Sequence, residues 1–312
     1  MPRPLTFIVG CTGCGKGALG RELARRTGAE IISLDSMKVY RRMDIGTAKP
    51  SAETRREIPH HLIDIVEPSE DFSVARYVAC AEQAIQDIQA RGRPVFVVGG
   101  TPLYLKALIE GLFEGPGADP TTRARLEAEA ASSGSSALHE RLRGVDPEAA
   151  ERIHPNDVRR LVRALEVFEL TGQPISALQA QWDRDRVRHQ HVLIGLRRDL
   201  TDQNHRTNLR VGRMIDAGLV EEVRSLLAEP EPLSTAARQA LGYAEITQHL
   251  RGGLALADAV ELIKINTRRF AKAQRTWFKR FREAEWIDLS PDSSVPDVAD
   301  GLMRRRGSLW SA

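Results

Sequence analysis

Cysteine is scarce in this 312-residue sequence: three residues, Cys11, Cys14 and Cys80. So small and odd a number excludes a disulfide framework as what holds the fold. Long hydrophobic runs are also missing. Behind Met1-Pro2-Arg3-Pro4 comes only Leu5–Val9, too short for a secretory h-region or a membrane span, so the expected location is the cytoplasm, away from membranes. Lysine is sparse, with 7 of the 45 basic residues, and arginine supplies the other 38. A charge of either sign in large excess is absent too: 45 basic against 42 acidic residues leave +3. The excess is uneven, −1 over residues 1–150 and +4 over 151–312. Arginine pairs two-point with phosphate, which invites a nucleic-acid reading. The composition alone is equally that of a protein written in GC-rich codons. With 42% hydrophobic and 28% charged residues the chain is neither disordered nor fibrous, and its length allows one large or two modest domains with a real core.

The first third alternates short apolar runs with helical patterns. Thr6–Val9, Ile31–Leu34 and Val95–Val98 read as strands, and Ala18–Thr27 and Phe72–Gln89 as helices. Unbroken Val/Ile/Leu strands separated by helices mean a parallel sheet covered on both faces. The breaker cluster Gly111–Pro120 marks a boundary. Residues 121–182 carry helical patterns only, a strand returns at His191–Leu196, helices dominate Asp202–Arg282, and Trp286–Leu289 reads as a last strand. The expected fold class is α/β, a P-loop parallel-sheet core covered by helices, with an all-helical insertion. The expected domains are a first part of the core at 1–116, the insertion at 117–190, and core completion with C-terminal helices at 191–312. Ala131–Ala137 reads as a flexible turn.

The strongest motif is Gly10-Cys11-Thr12-Gly13-Cys14-Gly15-Lys16-Gly17, between a strand and a helix. Glycines let backbone N–H groups turn toward an anion, the helix N-terminus adds partial positive charge, and Lys16 adds a full one. This predicts phosphate or diphosphate binding. Cys11 and Cys14 form a C-x-x-C, but nothing completes a metal set around it. The hydroxyl residue that normally follows the lysine and ligates Mg²⁺ is Gly17 here. Mg²⁺, the expected cofactor, must then be held by water, by the ligand or by another side chain, with Thr12 and Asp35 as candidates. Ligands bind beyond the carboxyl ends of parallel strands. Lys16, Asp35 and Thr101 follow three such strands and should converge. The blander reading of Asp35 is a turn or cap residue, and of Thr101 a cap for a helix over Pro102–Ile109.

Two basic clusters stand out. Residues 268–282 hold seven basic side chains and no acid, and Arg268, Lys272, Arg275, Lys279 and Arg282 fall on one helical face. Phe270, Gln274, Trp277 and Phe281 fall on another. Arg159, Arg160 and Arg163 share a helix over 156–170, capped by Asn156 or Asp157. Each cluster is a candidate phosphate-tracking surface or an ordinary solvated face. His60-His61 lacks further ligands at metal spacing and reads as structural or pocket-shaping.

These residues resemble the tRNA dimethylallyltransferase (tRNA isopentenyltransferase) family. The resemblance rests on the P-loop, the stretch Asp35-Ser-Met-Lys-Val-Tyr-Arg-Arg-Met-Asp-Ile-Gly-Thr-Ala-Lys-Pro50, and Pro59-His-His-Leu-Ile-Asp64. It continues through Phe72–Ala75, Val98–Tyr104, Ile153–Asp157, Arg163–Val167, Gly218–Val223, Ala240–Glu245 and Thr267–Lys272 with Gln274 and Thr276–Phe278. It covers about residues 5–290 in order, and the long 35–50 stretch is its most specific part.

The resemblance implies a P-loop core with a helical insertion. The activity it implies is transfer of a dimethylallyl group from dimethylallyl diphosphate to N6 of the adenosine 3′ of the anticodon. It makes Asp35 the general base, with Lys16, the P-loop amides, Thr101 and Arg210 (in Arg210-Val-Gly-Arg-Met214) on the diphosphate. It places Asp35, Ser36, Met37, Lys38, Thr101, Arg123 and the segment Arg159, Arg160, Leu161, Val162, Arg163 toward tRNA, and fits the 268–282 cluster to the anticodon stem-loop. It implies a monomer. The absence of cysteine after Cys80 suggests a bacterial-type form without a C-terminal zinc finger. Gly17, Lys38, Arg42 and Pro102 depart from the family pattern and bear on Mg²⁺ geometry and base recognition. An adenylate isopentenyltransferase, a nucleotide kinase and a non-catalytic RNA-binding protein are the competing readings. The kinase lacks its hydroxyl at position 17, and the other two leave either the basic clusters or Asp35 and Thr101 without a task.

Overall fold

A computed structural model describes residues 3–111, 115–180 and 188–310. In chain order the elements begin β1 (Leu5–Gly10), α1 (Lys16–Thr27), β2 (Glu30–Leu34), α2 (Ala52–Glu57), β3 (His60–His61), α3 (Val74–Ala90), β4 (Val95–Gly99) and α4 (Pro102–Glu110). Five helices follow: α5 (Pro120–Ser133), α6 (Ser135–Val145), α7 (Pro147–Arg152), α8 (Val158–Thr171) and α9 (Ile175–Ala180). The chain then runs through β5 (His191–Arg198), α10 (Leu200–Asp216), α11 (Leu219–Leu227), α12 (Thr235–Arg238), α13 (Tyr243–Leu250), α14 (Leu256–Phe278), β6 (Glu285–Leu289) and α15 (Val295–Trp310). Two compact units result, one from 1–108 with 189–312 and one from 109–188.

The first unit is an α/β core. Its six strands lie in the order β3-β2-β4-β1-β5-β6, and every pairing is parallel. β1 and β2 are buried along their whole length, which is why they read as unbroken apolar runs. Leu19 and Leu23 of α1, Leu302 and Trp310 of α15, and Ile8, Phe96 and Ile194 of the strands form one core layer. Trp310 Nε1 donates to Thr6 Oγ1 at 2.8 Å, so even the polar atom of this buried ring is paired. A second layer joins Val39, Tyr40 and Met43 of the β2–α2 loop to Val211, Leu219, Val223, Tyr243 and Ile263 of α10, α11, α13 and α14. That packing shapes the long loop after β2.

The second unit is helical. Leu126, Leu138, Leu142, Leu161, Val162, Leu165 and Leu178 close its core. Asp119, Asp146 and Asp157 cap α5, α7 and α8 by accepting from the third backbone N–H beyond. Of the 121–182 helical reading, residues 181 and 182 lie outside the described residues.

The structural reading of His60-His61 agrees with the fold, and the reading of the 268–282 stripe needs correction. His60-His61 is a strand, β3, pairing with Ile31 and Ile32. Its His61 Nε2 meets Glu30 Oε2 at 2.7 Å and His60 Nδ1 meets the Ile58 carbonyl at 2.6 Å, so both rings serve the fold. The 268–282 stripe is not one helical face. α14 stops at Phe278, and Phe281 folds back into the core behind a turn in which its N–H bonds the Phe278 carbonyl at 3.1 Å. Lys279 and Arg282 therefore leave the register that Arg268, Lys272 and Arg275 share.

Candidate active site

β1 delivers the chain into Gly10–Gly17. Gly13 and Gly15 sit at φ +83° and +100°, backbone that side chains with a Cβ rarely adopt. Gly15 caps α1 without a side-chain hydrogen bond, so the first N–H groups of the helix stay available to an anion. Thr12 is held at three points. Its N–H donates to Gln274 Oε1 at 2.8 Å, its carbonyl accepts from Gln203 Nε2 at 2.8 Å, and its hydroxyl meets Arg210 Nη2. Gln274 Nε2 also donates to the Gly100 carbonyl at 2.6 Å, tying the phosphate loop to the end of β4. A Cβ at 100 would lie 2.7 Å from that amide nitrogen, so a larger residue there would push Gln274 out of this bond. Lys16 Nζ makes one hydrogen bond, 3.2 Å to the Cys11 carbonyl.

β2 delivers Asp35. One carboxylate oxygen, Oδ1, accepts from the Met37 and Lys38 N–H groups at 2.9 and 3.3 Å. Thus the turn role and the site role coexist: Oδ1 shapes the loop, and Oδ2 accepts no hydrogen bond among the described residues. Thr101 Oγ1 accepts from Ser36 N–H at 3.2 Å, locking the ends of β2 and β4 together. Burial pushes the Lys38 ammonium below its ordinary pKa, Asp35 opposes that, and Lys16, Arg21 and Arg210 add to it. For Arg210, likewise, burial works against the charge and Asp35 works for it, while its buried Nε has no hydrogen-bond partner among the described residues. The Cys11 thiol is pushed up to about 11 by burial and by Cys14, so it is a neutral thiol at neutral pH rather than a ready metal ligand.

Lys16, Asp35, Thr101 and Arg210 all line one cavity of about 830 Å³ in the core unit. Gly13, Gly15 and Gly17 form part of its wall, and Lys38, Arg206, Tyr243 and Gln274 close it. Two apolar side chains at this cavity are unusually exposed, Leu209 at 47% and Phe270 at 44%. Sequence reasoning missed Gln203 and Arg206, which carry no motif. For Gln274 a signal existed: a glutamine on a face otherwise made of aromatics.

For Mg²⁺, no group of three or more acidic, histidine or cysteine side chains with metal geometry occurs among the described residues. Thr12 Oγ1 is already bound to the Arg210 cation, which disfavours a second cation there. Asp35 keeps one oxygen. The residues fit a Mg²⁺ ion held by diphosphate oxygens and water, since the one oxygen that Asp35 keeps is also the only carboxylate oxygen open to a substrate proton there.

The other expected tRNA residues fall into three groups. Arg159 and Arg160 are exposed on α8. Leu161 and Val162 are buried in the helical core, so their side chains are unavailable to RNA. Arg123 and Arg163 are bonded to the fully buried Glu166, Arg123 Nε at 2.8 Å and Arg163 Nη1 at 2.6 Å. In the core unit, Arg268 donates to Asn208 at 2.8 Å and Arg275 to Gln203 at 2.6 Å, whereas Lys272, Lys279 and Arg282 are exposed.

Comparison with known proteins adds the family. The IPP transferase family matches residues 38–281, and the isopentenyl transferase family matches 4–65. A tRNA dimethylallyltransferase of Geobacter metallireducens is 49% identical over 284 residues, 91% of this chain and 92% of the relative. That of Symbiobacterium thermophilum is 47% identical, covering 99% and 97%. The crystal structure of the tRNA isopentenylpyrophosphate transferase from Bacillus halodurans superposes with a TM-score of 0.72 at 40% identity, over 99% of this chain and 97% of that one. A eukaryotic dimethylallyltransferase acting on tRNA gives 0.81 at 26% identity, over 98% and 80%. This chain belongs to the IPP transferase family of tRNA dimethylallyltransferases.

Proposed function

We propose that this protein transfers a dimethylallyl group from dimethylallyl diphosphate to N6 of the adenosine 3′ of the anticodon, releasing diphosphate. The observation that carries the reading is the shared cavity: an anion cradle and a carboxylate with one unengaged oxygen face the same space. The phosphate-loop N–H groups, Lys16 and Arg210 hold the diphosphate and stabilise the charge that grows on it as the allylic C–O bond breaks. The adenine N6 attacks that carbon, and its proton passes to Asp35 Oδ2 as the C–N bond forms. Thr101 keeps Asp35 in place through Ser36. Mg²⁺, when bound, supplies further neutralisation of the diphosphate.

The target base must leave the loop stack to reach Asp35, at a cost of a few kcal/mol. Single-stranded loops make that cost smallest. Arg159, Arg160, Lys272, Lys279 and Arg282 are the exposed cations suited to the anticodon stem-loop. No described helix is long and apolar enough to cross a membrane, and a tRNA substrate supports a cytoplasmic location.

The test is transfer of labelled dimethylallyl diphosphate to an unmodified tRNA that reads U-starting codons, beside AMP and ATP. Label in tRNA supports the reading. Label in AMP alone would make the chain an adenylate isopentenyltransferase, and phosphoryl transfer from ATP without prenyl transfer would make it a kinase.

A further inference from the structure

The phosphate loop is a partition with a cavity on each side. Thr12, Gly13 and Lys16 line the reaction cavity, while Cys11 and Cys14 line a separate one of about 340 Å³ behind the loop. α14 divides in the same way, Gln274 lining the front and Arg275 the back. The volume of the rear cavity lies within the range of small-molecule sites, roughly 300–1,000 Å³.

Its lining is specific in character. Phe278, Phe281 and Trp286 supply aromatic walls, with Phe278 6.3 Å from each of the other two rings, centroid to centroid. Five cationic side chains and no carboxylate line it. Arg197 and Arg198 are neutralised from outside by Asp288 and Asp202, at 2.8 and 2.7 Å, and Arg275 is bonded to Gln203. Lys279 and Arg282 are exposed and have no ion-pair or hydrogen-bond partner among the described residues. The two thiols at the floor are buried, and Cys11 is held neutral, so it does not repel an anion.

Aromatic walls under two unspent cations recognise one chemistry: a flat or apolar body carrying a phosphate. We propose that the cavity behind the phosphate loop is a second binding site, for a phosphate ester with a compact apolar or aromatic body. The site is coupled to the first. Gln203 lines it and donates to the Thr12 carbonyl at 2.8 Å, and Arg198 Nε donates to the Cys14 carbonyl at 3.2 Å. An occupant therefore bears on the two side chains that brace the phosphate loop from behind, and by linkage a ligand in front bears on the occupant.

The test reads binding and does not depend on prenyl transfer. The full chain is saturated with inorganic diphosphate to fill the front cavity. Geranyl diphosphate and AMP are then titrated in separate arms, by calorimetry and by tryptophan fluorescence with Trp286→Phe as the reference. The expected result is one further equivalent of either probe, quenching Trp286. The arm that binds identifies the body as isoprenoid or flat base. The joint exchange Lys279→Gln with Arg282→Gln should weaken this binding at least tenfold, with an unchanged melting temperature confirming the fold. Lys16→Ala, which disables the front site, should shift this affinity through the linkage without abolishing the binding. The proposal is overturned if no further equivalent binds in either arm, or if the double exchange has no effect. It is equally overturned if binding disappears with Lys16, or if inorganic diphosphate alone fills both sites.

Discussion

Buried polar groups are used in opposite ways in the two units. In the helical unit they are spent. Glu166 accepts from the Asp119 N–H at 2.7 Å, from Arg123 at 2.8 and 3.0 Å and from Arg163 at 2.6 Å. Asp146 likewise serves two backbone N–H groups, at 2.9 Å each, and His139 Nε2 lies against two carbonyl oxygens. Around the reaction cavity they are held in reserve. Among the described residues Lys16 has one long hydrogen bond, Arg210 Nε has none, and Asp35 commits a single oxygen. Leaving a buried donor unpaired costs about 1–3 kcal/mol, so a fold tolerates it where a substrate completes the set.

That contrast can be broken by substitution. The largest effect should come from Asp35→Asn. Asparagine keeps the oxygen that shapes the turn and removes the proton acceptor, so turnover should drop by about 10³-fold, within the range of general-base losses. Single-turnover transfer and filter binding to tRNA separate the two roles. If affinity for tRNA declines in parallel with turnover, Asp35 is a loop residue only. Glu166→Ala comes next, on stability rather than chemistry. Its arginine partners are partly exposed and can rehydrate, so the loss should be about 2 kcal/mol, below the usual toll of breaking a buried pair. Thermal melting checks it, and an unchanged melting curve would refute the architectural role.

Gln274→Ala lies between the two classes, because it frees the Thr12 N–H and the Gly100 carbonyl at once. We expect a roughly tenfold higher KM for the prenyl diphosphate, about 1.4 kcal/mol, with kcat little changed. A fall in kcat at constant KM would instead place Gln274 on the reacting groups. The smallest effect is one of pH. Burial alone would raise the Glu166 pKa, but the bonds from Arg123, Arg163 and Asp119 together bring it below the usual 4.5. Its stabilisation is therefore complete above the unfolded value and is lost as pH falls through the lower folded value. Melting temperatures of the wild type should decline more steeply below about pH 4.5 than those of Glu166→Gln. Parallel curves would show that the carboxylate charge is not what Arg123 and Arg163 recognise.

Legibility in the sequence followed the same division. β1, β2, β4 and β5 were readable because buried strands leave unbroken apolar runs, whereas the half-exposed edge strand β6 offered only Trp286, Ile287 and Leu289. Gly13, Gly15 and Lys16 were readable because an anion cradle needs positive φ and a charge at fixed spacing. β3 was not, since two histidines paired to β2 and to Glu30 have no hydrophobic signature. The 35–66 loop hid its conformation as well. It carries positive φ at Arg42, Ala48, Leu62 and Asp64 and wraps the buried Lys49, whose Nζ reaches Asp64 and the Tyr40 carbonyl at 2.5 Å each. None of that is local. The end of α14 shows the limit of periodicity: no glycine or proline marks the stop, because burial of Phe281 in the core sets it. The tRNA-facing residues divide for a related reason. Charge is visible in a sequence, but whether Arg123 or Arg163 has already spent it on Glu166 is not.

The strand order has a consequence in time. β1 lies between β4 and β5, and β5 begins at His191. A chain emerging from the ribosome thus holds all of the helical unit, whose contacts are local, before β1 has its second neighbour. Until residues 191–198 arrive, the middle of the sheet is an open edge. The segment between the two halves of the core sets how long that edge stays bare.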